Sequence, residues 1–142
     1  MNDFSDLMAS RLVAAGLSGA NLECASPELA SNFGDTEATF SIEGLLLRFT
    51  KDRAQIFLGI ASIHRNNFFY QFADIEIAMG WKTLDQVLTM QDPDDIDHVL
   101  QQVKLSLIPL SDGLSNDLTR ARINRAAQTR GRLFVDGLRG DR

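Results

Sequence analysis

The chain has 142 residues, 44% of them hydrophobic and 23% charged, which suits one domain with its own buried core and excludes a disordered or fibrous chain. Its apolar runs are only a few residues long, far short of the ~20 that cross a bilayer as a helix. The single cysteine, Cys24, excludes an internal disulfide and a cysteine-based zinc framework. The formal net charge of −5 hides an asymmetry. Residues 1–117 hold 7 Lys and Arg against 17 Asp and Glu, a balance of −10, whereas 118–142 hold 7 Arg against 2 Asp, a balance of +5. An acidic body repels nucleic acid and favours encounter with basic partners.

The first ten residues, MNDFSDLMAS, carry acids where a secretory leader carries Lys or Arg, and no apolar segment follows. They predict a protein that stays in the cytoplasm. Phe4, Leu7, Met8, Leu12 and Ala15 fall on one helical face over residues 3–15, with Asp3 placed to cap the helix and Gly16 to end it. Residues 21–25 read as a short strand with Leu22 and Cys24 inward, which makes Cys24 a buried structural thiol. After a turn at SNFGDT, residues 37–43 alternate Ala38, Phe40 and Ile42 with polar neighbours.

Residues 44–62, GLLLRFTKDRAQIFLGIAS, are the centre of the chain. Leu45, Leu47 and Phe49, then Ile56, Leu58 and Ile60, recur at a period of two about the charged turn Lys51-Asp52-Arg53, the pattern of a hairpin with one apolar face. FFYQFA at 68–73 alternates Phe68, Tyr70 and Phe72 with Phe69 and Gln71 and predicts a further strand. Short connections between these strands require antiparallel neighbours, since a parallel crossover needs a helix.

From Asp74 the period lengthens. Leu84, Val87 and Leu88 predict a short helix over 83–90; Ile96, Val99, Leu100, Val103 and Leu107 predict another over 94–108, stopped or kinked by Pro109. Asn116 is placed to cap a last helix over 117–133, with 135–142 a tail beyond a domain of 1–134. The expected fold is therefore α+β: an antiparallel meander of four to five strands, with the N-terminal helix and the C-terminal helices packed on one face.

Three groups invite a functional reading. Asp92, Asp94, Asp95 and Asp97 with His98 form the most ligand-like cluster, but DPDDIDHVLQQ lacks the central glycine and closing glutamate of a calcium loop. Helix-start acids in the macrodipole account for it as structure, and with Trp81, isolated after Gly80, they are candidate contacts for a protein partner. Arg48, Asp52, Arg53 and Gln55 read as a polar hub that fixes the hairpin. The sheet aromatics read as core, because the pattern of an RNA-binding sheet is missing. Arg122, Arg125 and Arg132 lie on a helical surface suited to pairing with the acidic body or with another copy in a homodimer. No catalytic, metal-binding or cofactor-binding set emerges.

Phe33-Gly34, a following strand, and then Arg48-Phe49, Asp52-Arg53, Gln55 and Phe57 in the order R-F-x-x-D-R-x-Q-x-F form a pattern that resembles small bacterial proteins akin to immunity proteins of polymorphic-toxin and contact-dependent-inhibition systems. Ala54 stands where that pattern commonly has glycine. The resemblance spans most of the chain and implies a non-enzymatic protein that neutralises a cognate toxin by direct binding, its acids steering a basic toxin domain. The alternative class is a small acidic secretion chaperone or adaptor that holds an extended segment of cargo; an enzyme with an unrecognised site is a third.

Overall fold

In the computed structural model, residues 3–26, 36–52, 55–65, 68–89 and 96–139 are described. The period-two segments form strands β1 (Asn21–Ser26), β2 (Thr36–Ile42), β3 (Leu45–Asp52), β4 (Gln55–Ser62) and β5 (Tyr70–Gln71), all antiparallel and ordered β1-β2-β3-β4-β5. The fold is the expected α+β meander.

Register follows from the turns. Glu43 and Gly44 between β2 and β3 both have positive φ, 51° and 79°, which gives a two-residue turn whose twist matches the strands. It fixes the rungs Phe40↔Leu47↔Ile60 and Ala38↔Phe49↔Leu58, so the middle of one face is apolar. Phe40 meets Phe49 edge-on across that face, with centroids 6.0 Å apart. Each such side chain removed from water stabilises the fold by about 2 kcal/mol.

The helices cover this face. α1 (Asp3–Ala14) buries Phe4, Met8 and Leu12 on it; Leu7, expected on the same stripe, is 44% exposed, since the inward arc is narrower than the sequence stripe. Gly16, at φ 85°, closes α1 with bonds from its own N–H to Val13 and from Leu17 N–H to Leu12, and Leu17 drops into the core. α2 (Phe72–Ala78) follows β5 directly. The strand expected over 68–73 is therefore cut to Tyr70–Gln71, because Phe72, Ile75 and Met79 reach the core at helical spacing and Asp74 lies in the first turn.

α3 (Leu84–Thr89) starts with a reciprocal cap: Gln86 N–H donates to Thr83 Oγ1 at 3.1 Å and Thr83 N–H to Gln86 Oε1 at 2.8 Å. The helix expected to run to residue 108 divides into α4 (Ile96–Leu105) and α5 (Leu107–Leu114). A straight helix would press the Pro109 ring on the Leu105 carbonyl, so the chain breaks earlier, at Ser106 (φ −120°, ψ 17°). Pro109 then occupies the first turn of α5, where a missing N–H costs nothing.

Asn116 Oδ1 accepts from Leu118 and Thr119 N–H and opens α6 (Asp117–Arg139), whose helical backbone extends past the expected end at 133 and through the first five residues expected in the tail. Ile123 and Ala126 face inward, whereas Leu118 is 64% exposed. Arg130 clamps α6 to α2, donating from Nε to Asp74 Oδ1 at 2.6 Å and from Nη2 to Oδ2 at 3.0 Å. Among the described residues, no helix is long and apolar enough to cross a membrane.

Candidate protein-binding face

With helices on one side, the functional question passes to the other side of the sheet. There the cross-strand rungs are Glu37, Thr50 and Phe57; then Cys24, Thr39, Arg48, Gly59 and Gln71; then Ser41, Leu46 and Ala61. Leu46 and Ala61 are buried but lie outside the main core cluster, as side chains on the opposite face must.

The middle rung is the most specific feature. Gly59 presents no side chain, and Phe69 settles against the gap: a Cβ added at Gly59 would stand 3.3 Å from Phe69 Cβ. Arg48, the cross-strand neighbour of Gly59 on β3, lays its guanidinium 4.2 Å from the centroid of that phenylalanine ring. A half-exposed pair of this kind contributes about 1 kcal/mol and, more usefully, holds a long cation in one place. Phe57, on the neighbouring outer rung, is 40% exposed, and Phe68, next to Phe69 in the chain, is 62% exposed. The result is an ordered cation near an accessible aromatic on a rigid sheet.

Cys24 is exposed, not buried as the alternation suggests. The register steps from Leu22↔Phe40 to Cys24↔Thr39, leaving Glu23 as the extra residue of a bulge, so Cys24 is turned to the outer side. Leu22 keeps its inward register but lies on the edge strand, 51% exposed. Glu23 accepts a hydrogen bond from the Ser41 hydroxyl at 2.5 Å.

Among the described residues, those singled out by sequence lie in separate parts of the fold. Arg48 faces Phe69, four residues along β3 from Asp52. Asp52 and Gln55 pair in backbone register; their side chains and Arg53 lie outside the described residues. Trp81 belongs to the helical layer, half-buried with its ring 6.3 Å from that of Phe72 and its backbone N–H donating to the Glu76 carbonyl. Asp97 ties α4 to α1 through Arg11. Asp92, Asp94 and Asp95 lie outside the described residues. The lone glycine inside an otherwise alternating strand was the one available signal for the Arg48 and Phe69 pair. No group of three or more His, Cys, Asp or Glu side chains converges among the described residues.

Fold and surface together define an α+β domain that keeps its helices on one side of a meander and an arginine-aromatic cluster on the other. Comparison with family models, curated proteins and solved structures finds no match to this chain.

Proposed function

We propose that the chain is a non-enzymatic protein-binding domain, an immunity protein that neutralises a cognate bacterial toxin in the cytoplasm by covering its working surface. The observation that carries this reading is the outer sheet face, where Arg48, stacked on Phe69, shares the surface with exposed Phe57. Arginine and aromatic side chains dominate the energetics of protein interfaces, and a pre-ordered guanidinium loses little entropy on binding. The likeness of the hairpin pattern to immunity proteins supports the same reading, and the −10 balance of residues 1–117 favours approach of a basic toxin domain.

Co-expression with the product of the adjacent gene tests it. Protection and a complex on gel filtration are expected, and Arg48→Ala should weaken that complex by roughly 30-fold, the effect of a ~2 kcal/mol hot spot. Absence of both protection and complex refutes the proposal. A second reading, a secretion chaperone, draws on the edge position of β1 among the described strands of the sheet. A chaperone would bind an unfolded cargo segment by strand addition, whereas toxin neutralisation requires the folded toxin.

A further inference from the structure

The side of the molecule around α5 and α6 carries two features that neither the core nor the outer sheet face uses. The first is the elbow between α4 and α5. Breaking the helix at Ser106 leaves Leu105 78% exposed and Ile108 75% exposed, on a cleft of about 510 Å³ whose rim includes Glu43 and Asp112. Lys104 also lines this cleft, but its ammonium packs over Gly16 at the carboxyl end of α1, where the helix dipole favours a cation.

The second is the outward side of α6, which divides its arginines by task. Arg130 holds Asp74, and Arg120 donates to the Leu114 carbonyl at 2.7 Å and pairs with Asp117. Arg122, Arg125 and Arg132 are exposed on one helical face, one turn and more beyond the exposed Leu118. No Asp or Glu occurs between Leu118 and Val135 to neutralise them along the helix.

From these we infer that the α5 and α6 side is a self-association surface, on which Leu118, Arg122 and Arg125 of one copy meet Leu105, Ile108 and the acidic rim of a second. The two halves are complementary in both respects that matter, apolar against apolar and cation against carboxylate. They sit on adjoining helices, since α5 packs on α6 and is only ~12 Å long, and a two-fold axis would repeat each contact in the second copy. The charge balance of the chain, −10 before Leu118 and +5 after it, favours the same pairing at longer range. A nucleic acid would satisfy the arginines but face the acidic body and leave Leu118 unmatched. Among the described side chains of α6, Leu118 is the one large apolar residue exposed, which gives a membrane surface no apolar row. The contact is independent of what the outer sheet face binds.

Sedimentation velocity of the full chain tests this. A dimer is expected at about 20 mM salt and should weaken at least tenfold at about 500 mM, where the Debye length falls from ~20 Å to ~4 Å. Ile108→Asp and the pair Arg122→Glu/Arg125→Glu, all at exposed positions, should each weaken it at least tenfold with unchanged circular dichroism and thermal midpoint. Adding Asp112→Arg to the arginine pair should restore part of the loss by reversing both charges. A monomer at ~200 µM in low salt refutes the inference, because a two-fold interface of ordinary size associates well below that. A dimer indifferent to all these substitutions refutes it too, as does a monomer that binds a labelled oligonucleotide through Arg122 and Arg125.

Discussion

Arg130→Met probes the clamp that holds the longest helix to the rest of the protein. Asp74 has a side chain only 2% exposed, and Arg130 supplies both of its described partners in a fork geometry. Removing the guanidinium while keeping an aliphatic stem of similar length leaves a buried carboxylate uncompensated, which costs about 3 to 5 kcal/mol. The Arg130 side chain is itself 33% exposed, so water can reach the vacated site and the lower end, about 3 kcal/mol, is the expected value. With an unfolding entropy of ~0.3 kcal/mol/K for a chain of this size, the midpoint falls by about 10 °C.

The pKa of Arg130 is raised above the ordinary guanidinium range, chiefly by the hydrogen bond to Asp74, with burial opposing and the charge of Asp74 assisting. A cation raised in the folded state contributes stability that is complete below its unfolded pKa and is lost only as pH climbs through the folded value. The contribution from Arg130 titration is thus flat between about pH 6 and pH 9. Urea unfolding of Arg130→Met, Asp74→Leu and the double variant completes the cycle. The double variant, which removes both charges, should recover to within about 1 kcal/mol of the native chain. A single-variant loss under about 1 kcal/mol would refute the clamp, since a buried charge cannot lose its partner so cheaply.

Thr83→Ala removes one half of the reciprocal cap on α3 and should cost about 1 kcal/mol in the same urea assay. Gly44→Ala has room, with Ser111 Oγ at 3.7 Å from the added methyl, so its loss of about 1 kcal/mol comes from forcing alanine to φ 79°. Cys24 should react with a thiol reagent in the native state at one equivalent and near the free-peptide rate; protection until denaturant is added would rule out the bulge at Glu23. Gly59→Ala should displace Phe69 and weaken partner binding while the inner face of the sheet, and with it the thermal midpoint, stays within about 2 °C of native. Unimpaired binding by that variant would sever the link between the Arg48 pair and recognition.

Much of the meander was legible because period two needs nothing but alternation. Leu47 and Phe49 face Ile60 and Leu58 as the hydrophobic pattern requires, and the positive φ of Gly16 ends α1 where glycine alone predicts it. Three features were hidden for separate reasons. A bulge adds one residue without a residue-type signature, so nothing in Leu22-Glu23-Cys24 announces the reversal of Cys24. Phe72 satisfies both the strand alternation of Tyr70 and the helical spacing of Ile75, and only the tertiary demand for Ile75 in the core decides between them. Pro109 marks a helix break, but the break moves to Ser106, because the clash falls on the carbonyl four residues before the ring. The exposed pair Leu105 and Ile108 follows from that shift.

The candidate face was least legible because its defining residue is an absence. Leu58, Gly59 and Ile60 read as a strand with one weak position, and a strand glycine lowers stability relative to alanine by roughly 0.5 to 1 kcal/mol. In the sheet the same position admits Phe69, which arrives from the β4 to β5 connection and gives Arg48 a ring to lie on. The inner face needs none of this: Leu58 and Ile60 are buried whether or not residue 59 carries a methyl group. A residue that weakens its own strand and serves only the solvent side is hard to explain by folding, and it is the strongest physical reason to look for a partner on that side of the sheet.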